Sequence, residues 1–385
     1  MLAKIYIIKT RQFMQNTSDI DASTIPPVIP PFPPDIPATP EVRPVRVGGL
    51  QHFRFHGTAS EYFGIWIVNI LLTIVTLGLY SPWAKVRRLR YFYGNTEFVQ
   101  RRFDFTGVPV KILMGRLIAL GLYFAISIAS NLSTTATLVG LLILYLAVPW
   151  LIRATLRFNA RNSKFGNARF YFGGTNKEAY WTFIKAILIY ILTLGIFFPV
   201  LVWLYKRYCF DHLYAGQLNF RLNATWGDYM KAMYVPLFIF MGFLVAVMIF
   251  GIGSSFTNLG NPGVLSSLVG WIVAIYFFGF FIIFPLMQAR IFITTWNNTS
   301  ISRSQFKTEC TQWHYTWILV TNWIARILSL GLLTPWAAIR LYRYQVESLT
   351  LNLRNDPDMM MNRAQQDHSA LAEEISDIFD IDVSL

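Results

Sequence analysis

Apolar residues gather into seven long runs, roughly 62–84, 112–130, 137–156, 179–205, 233–252, 264–288 and 315–339. Each is near the ~20 residues that a membrane-spanning helix needs. Between the runs the period changes to two. Phe53-Arg54-Phe55, Phe103-Asp104-Phe105, Phe170-Tyr171-Phe172, Phe220-Arg221-Leu222, Phe306-Lys307-Thr308 and Leu351-Asn352-Leu353 alternate inward and outward character, which predicts short strands. The pattern reads as an all-α polytopic membrane protein. It has three Gly/Pro-broken repeat segments plus two helical hairpins, with short β-strands at the membrane surface.

The three broken segments repeat one spacing. Gly78, Gly195 and Gly331 are followed four residues later by Pro82, Pro199 and Pro335. Twelve residues after each Gly stand Arg90-Tyr91, Arg207-Tyr208 and Arg343-Tyr344. Gly suits the left-handed turn past a helix end, and Pro suits the first turn of the next helix. Each motif therefore reads as helix stop, turn and helix start. Ser81 and Thr334 stand where N-caps belong, and Phe198 cannot cap the middle copy. About 17 residues precede each break, or ~25 Å of helix. The cation- and aromatic-rich helix after it is expected to lie along the membrane interface. Pro149 and Pro285 also correspond, in the two unbroken hairpins. Hairpins are expected to start at 107–109 and 226–228 and to turn at 131–135 and 253–263.

Two topologies are compatible with this pattern. If every segment crosses once, the repeat inverts and its flanking cations fall on both faces. If the motif segments dip in and return, the cations share one face, the arrangement that positive-inside logic prefers.

Composition agrees with a membrane location. Of 385 residues, 54% are hydrophobic and 14% charged, against about 25% charged in soluble domains. Net charge is +13, with the cations at the ends of apolar runs, so membrane lipids are the expected partner and nucleic acid is not. Residues 1–47 form a Pro-rich tail, with nine of eighteen prolines between Pro26 and Pro44. The membrane domain spans 48–354, with motif units at 48–136, 165–260 and 301–354. Residues 355–385 carry eight acids against Arg363 alone. Leu371, Ile375, Ile378 and Phe379 recur there at helical spacing, which reads as an acidic amphipathic segment for the protein's own basic face or a protein partner.

Catalytic chemistry is absent from the pattern. No acid lies inside an apolar run, the five histidines and Cys209 and Cys310 lack metal spacing, and no phosphate loop or nucleophile elbow occurs. No enzymatic activity, cofactor or metal is expected. Two candidate sites follow instead. Arg90, Arg207 and Arg343 with their tyrosines could hold lipid phosphate or another anion, or snorkel as anchors. Arg326 with Asn322, and Asn69 at the matching position of the first copy, form an intramembrane polar site.

The stretch from Glu61 to Arg88, with Thr76-Leu77-Gly78-Leu79-Tyr80-Ser81-Pro82-Trp83 at its centre, continued by Arg90-Tyr91-Phe92 and Asn95-Thr96, resembles the YjgN family. The resemblance covers roughly 50–354 and leaves both tails outside. It implies a multi-pass protein of the bacterial inner membrane and brings no assigned activity or functional residues. The expected function is transporter- or channel-like; the alternative is a membrane scaffold or lipid-binding envelope protein without transport activity.

Overall fold

The computed structural model describes residues 49–131, 133–166, 168–252 and 264–354. Both tails and the hairpin tip at 253–263 lie outside the described residues. Ten short strands form one closed antiparallel barrel: β1 (Leu50–Phe55), β2 (Thr96–Phe98), β3 (Arg101–Phe105), β4 (Ser163–Phe165), β5 (Ala168–Phe172), β6 (Leu213–Ala215), β7 (Leu218–Leu222), β8 (Thr299–Ile301), β9 (Ser304–Thr308) and β10 (Leu349–Asn352). The all-α reading is therefore wrong. The alternating stretches are strands as expected, but they close on one another, leaving no free edge. The strands β2, β4, β6 and β8 have three residues each, too few to show a period in sequence.

The barrel is five copies of one unit. A long strand leads into a helical hairpin, which returns as a short strand paired with the first. The helices are α1 (Ala59–Val75) and α2 (Ser81–Gly94), α3 (Pro109–Ser130) and α4 (Thr134–Arg161), α5 (Asn176–Leu192) and α6 (Phe198–Asp211), α7 (Trp226–Ala246), α8 (Val264–Phe278) and α9 (Phe284–Asn297), then α10 (Gln312–Leu328) and α11 (Thr334–Glu347). A π turn at Gly279–Ile283 joins α8 to α9.

Register fixes where the hairpins emerge. Phe55 pairs with Thr96, Phe105 with Ser163, Phe172 with Leu213, Leu222 with Thr299 and Thr308 with Leu349. Every one of these pairs joins the last residue of a long strand to the first of a short one. All five hairpins thus rise from one rim, and the tight turns lie at the other. Val99 and Gln100 both have positive φ, 48° and 59°, as the two-residue turn of a twisted hairpin requires. Around the ring α2 packs on α3, α4 on α5, α6 on α7, α9 on α10 and α11 on α1, so the helices also close in a circle.

The motif segments do not run out along an interface. Each folds back on itself, a 17-residue arm followed by a 14-residue arm. The turn is a Schellman stop. Gly78 N–H donates to the Thr73 carbonyl at 2.7 Å and Leu77 N–H to that of Ile74 at 3.0 Å, with Gly78 at φ 91° and Leu77 at φ 49°. Gly195 and Gly331 repeat it with Leu194 and Leu330. A left-handed leucine is strained, and these three are 94%, 91% and 95% exposed. An apolar side chain at the very tip suits a hairpin that ends in lipid.

Ser81 and Thr334 do not cap the second arms. They are the first helical residues, and their hydroxyls donate to the Gly78 and Gly331 carbonyls, each at 2.6 Å. The linking role falls to the first motif residue. Thr76 Oγ1 accepts from Tyr80 N–H at 3.0 Å and donates to the Leu72 carbonyl at 2.7 Å; Thr193 makes both matching bonds, and Ser329 accepts from Leu333 N–H while donating to the Arg326 carbonyl, one residue nearer.

The unbroken hairpins obey the same plan. Pro82, Pro149, Pro199, Pro285 and Pro335 each stand fourteen residues ahead of Thr96, Ser163, Leu213, Thr299 and Leu349, and all five are buried. Pro149 lies mid-helix only because α4 extends the same arm further out. Among the described residues, four helices are long and apolar enough to cross a membrane: Pro109–Ser130, Thr134–Arg161, Trp226–Ile249 and Val269–Asn297. The long hairpins are the second and fourth, and the two short hairpins at the ends of the chain are neighbours where the ring closes.

Candidate functional site

The barrel axis carries the most regular feature of the molecule. In each unit the long strand brings one inward phenylalanine to the axis: Phe53, Phe103, Phe170, Phe220 and Phe306. Their cross-strand partners are Phe98, Phe165, Ala215, Ile301 and Leu351, and directly opposed residues share a face. The five rings form a closed circuit. Centroid separations are 6.4 Å for Phe53–Phe103, 6.5 Å for Phe103–Phe170, 6.3 Å for Phe170–Phe220, 6.1 Å for Phe220–Phe306 and 6.3 Å for Phe306–Phe53.

Neighbouring ring planes differ by only 17° to 34°. Rings standing parallel to a fivefold axis would differ by about 72°, so these lie nearly flat across it, as the blades of an iris do. A pentagon of this edge sets each centroid about 5 Å from the axis, which leaves an aperture about one water molecule wide. Phe98 stacks on Phe53 at 4.3 Å, and Phe165 lies on Phe103 at 4.6 Å. The surrounding cluster is wholly apolar, including Ala168, Leu218 and Leu353.

Directly on the helix side of the ring is a cavity of about 510 Å³. Phe53, Phe103 and Phe170 form part of its floor. Its walls come from the last turns of all five second arms: Tyr93 on α2, Asn159 on α4, Cys209 on α6, Trp296 on α9 and Gln345 on α11. Among the described residues no charged side chain lines it. Its polar groups are hydroxyls, amides and one thiol, the chemistry of a site for an uncharged molecule.

The structure gives the repeated Arg-Tyr pairs another task. Arg90 Nε and Nη2 donate to the carbonyls of Phe105 and Gly107 at 3.1 and 3.4 Å. Arg343 Nη2 donates to the Gly57 carbonyl at 2.7 Å. Both reach the loop after the next unit's long strand, and Arg343 joins the last unit to the first. Arg207 instead pairs with Asp211 at 3.1 Å and lies over Trp203. The tyrosines reach back to the N-cap residue of their own unit. Tyr91 OH accepts from Thr58 N–H at 2.8 Å, Tyr344 OH accepts from Thr311 N–H at 3.0 Å, and Tyr208 OH donates to the Thr175 carbonyl at 3.5 Å. In the middle unit Thr175 and Glu178 complete a capping box. Hydrogen bonding from the Thr175 backbone holds the Glu178 carboxyl below its ordinary range, so the box is ionised at neutral pH. Arg343→Ala is expected to cost about 1.5–3 kcal/mol, the value of a charge-assisted hydrogen bond. A lowered thermal midpoint in detergent, unrecovered by Arg343→Lys, checks this.

The intramembrane residues are only partly brought together. Asn69 accepts from Arg87 at 3.5 Å, and Asn322 accepts from Arg340 at 3.4 Å while donating to the Ala337 carbonyl at 2.9 Å. Each Asn therefore ties a first arm to its second arm. In the middle copy both partners are apolar, Ala186 and Leu204. Arg326 does not join Asn322, and its Nε is buried without a hydrogen-bond partner. Sequence reasoning missed Arg116, a cation inside α3 that donates to Ser81 Oγ. It also missed the phenylalanine circuit, although four of its five members stand in Phe-x-Phe or Phe-x-Leu strands.

Residues 50–378 match a family described as bacterial protein of unknown function (DUF898). The chain belongs to this family. It is 35% identical to inner membrane protein YjgN of Escherichia coli (strain K12) over 149 residues, and 34% identical to the Escherichia coli O157:H7 protein over the same length. Each of these alignments covers 38% of this chain and 37% of the relative, so the chain matches little more than a third of either relative's length. Inner membrane protein YjgN of Salmonella typhimurium aligns over 80% of this chain and 92% of its own length at 23% identity. No solved structure matches. The chain is thus a multi-pass inner-membrane protein of the family. The family match continues past β10 to residue 378, so most of the acidic segment belongs to it.

Proposed function

We propose that this protein is a channel-like conduit for small uncharged solutes, with the phenylalanine circuit as its closed gate and no enzymatic step. The observation that carries this is the closed five-membered ring lying flat across the axis, beneath a cavity walled by all five units. A narrow apolar constriction stops water and dissolved solutes by dewetting, without any moving lid. The uncharged lining argues against ions as cargo. The lipid-anchor alternative loses its support at Arg90 and Arg343, whose guanidiniums are satisfied by backbone carbonyls.

On this reading the barrel faces the cytoplasm. The cations near the helix-bearing rim then lie inside, as positive-inside logic requires. A cysteine at Ser133, between α3 and α4, is expected to react with an impermeant thiol reagent from the periplasmic face only. Reaction from the cytoplasmic face would reverse the orientation. Transport itself is tested by glycerol uptake into proteoliposomes, followed by light scattering. Slow uptake by the parent protein and fast uptake after the ring is trimmed support the proposal. Equal rates in both would remove it.

A further inference from the structure

The barrel's outer wall between β7 and β10 holds a polar groove of about 410 Å³. Arg221 rises from β7 with Asn223 just past its end, Ser300 from β8, and Gln305 from β9. Arg303, in the turn between β8 and β9, and Arg354, just past β10, complete it at the far rim. The groove lies on the outside of the wall and shares no residue with the axial cavity.

The groove is one-signed. No Asp or Glu occurs in any strand from β4 to β10. Among the described residues Arg221, Arg303 and Arg354 make no ion pair. Three uncompensated guanidiniums around amides and hydroxyls form a receptor for carboxylates or other oxyanions.

The chain supplies such groups at the rim itself. Directly after Arg354 comes the segment 355–385, with eight acids and one arginine. The family match runs through this segment to residue 378.

We infer that the acidic segment of the same chain seats in the groove formed by Arg221, Arg303 and Arg354. The interaction is electrostatic and depends on the acidic segment, not on any channel activity. Proximity by connection alone gives a background cross-link that salt and charge reversal do not reduce. A flexible link of the 22 residues from Arg354 to Ser376 has a mean span of roughly 25 Å, so that background is low.

The test uses the full chain with Cys209 and Cys310 replaced by serine, and cysteines at Gln305 and Ser376. A short bis-maleimide is expected to join them within one chain at low salt. Yield should fall at least fivefold in 1 M salt, where the Debye length shrinks to about 3 Å. It should fall likewise in R221E/R303E/R354E, and E373R/E374R/D377R should restore it in that background. The salt comparison needs no groove variant, so the test stands even if the charge reversal impairs folding. A yield indifferent to salt, no cross-link at low salt, or cross-links only between copies would each overturn the inference.

Discussion

Replacing Phe53, Phe170 and Phe306 together by alanine is expected to raise glycerol uptake into proteoliposomes at least tenfold. These residues are three of the five members of the circuit. Removing them leaves Phe103 and Phe220, which do not touch in the circuit, and widens the aperture well beyond one water. A tenfold rise corresponds to about 1.4 kcal/mol off the barrier, a modest demand on a wetted opening. Each trimmed ring also weakens the barrel core, by about 3–5 kcal/mol at buried Phe306 and less at half-buried Phe53 and Phe170. The single change Phe170→Ala is therefore the companion measurement, with a smaller rise expected. Phe63→Ala on the exposed side of α1 removes the same atoms far from the axis. It should leave uptake unchanged.

The second large effect concerns closure. Ending the chain after Arg303 removes β9, α10, α11 and β10, one complete unit. β1 would lose its β10 partner and β8 its β9 partner. The Arg343 staple to Gly57 and the ring member Phe306 would go with them. Two free strand edges and an open circle of helices expose backbone groups and apolar surface that a membrane protein cannot leave unsatisfied. Gel filtration in detergent is expected to show aggregate and no monodisperse peak. Ending the chain after Arg354 keeps all ten strands and should elute as a single species. A monodisperse protein from the shorter truncation would contradict a barrel held by closure.

Much of this architecture was legible in the sequence, and the gaps have physical causes. The long strands were visible because inward Phe53 and Phe55 flank outward Arg54, and that alternation recurs in every unit. The helix stops were visible because Gly78, Gly195 and Gly331 keep one distance from Pro82, Pro199 and Pro335. The fivefold count was hidden by length. The unbroken hairpins extend the same unit outward, so Pro149 and Pro285 looked like interior prolines instead of the same rim-level position. The hairpin return of the motif segments was one of two readings the sequence allowed, and Leu77, Leu194 and Leu330 kept the spanning reading open. These keep the hydropathy of a continuous span while adopting a left-handed turn. Arg90-Tyr91 looked like a headgroup anchor because Arg beside Tyr is common there. What it touches, backbone carbonyls and an N–H group, carries no side-chain signature that a sequence could show. The circuit of phenylalanines could have been found by asking which strand residue is aromatic in all five units, but that question presupposes the count of five.

The most direct test of an axial path uses the thiol that already lines the cavity. In the Phe53→Ala, Phe170→Ala, Phe306→Ala protein, with Cys310 changed to serine, Cys209 is the only thiol in the chain, and it borders the space above the ring. Reaction with a bulky membrane-permeant maleimide should fill that space and return glycerol uptake to the parent rate. The same treatment should leave a Cys209→Ser version conducting. Uptake that continues undiminished after complete labelling of Cys209 would place any permeation elsewhere and contradict the axial conduit.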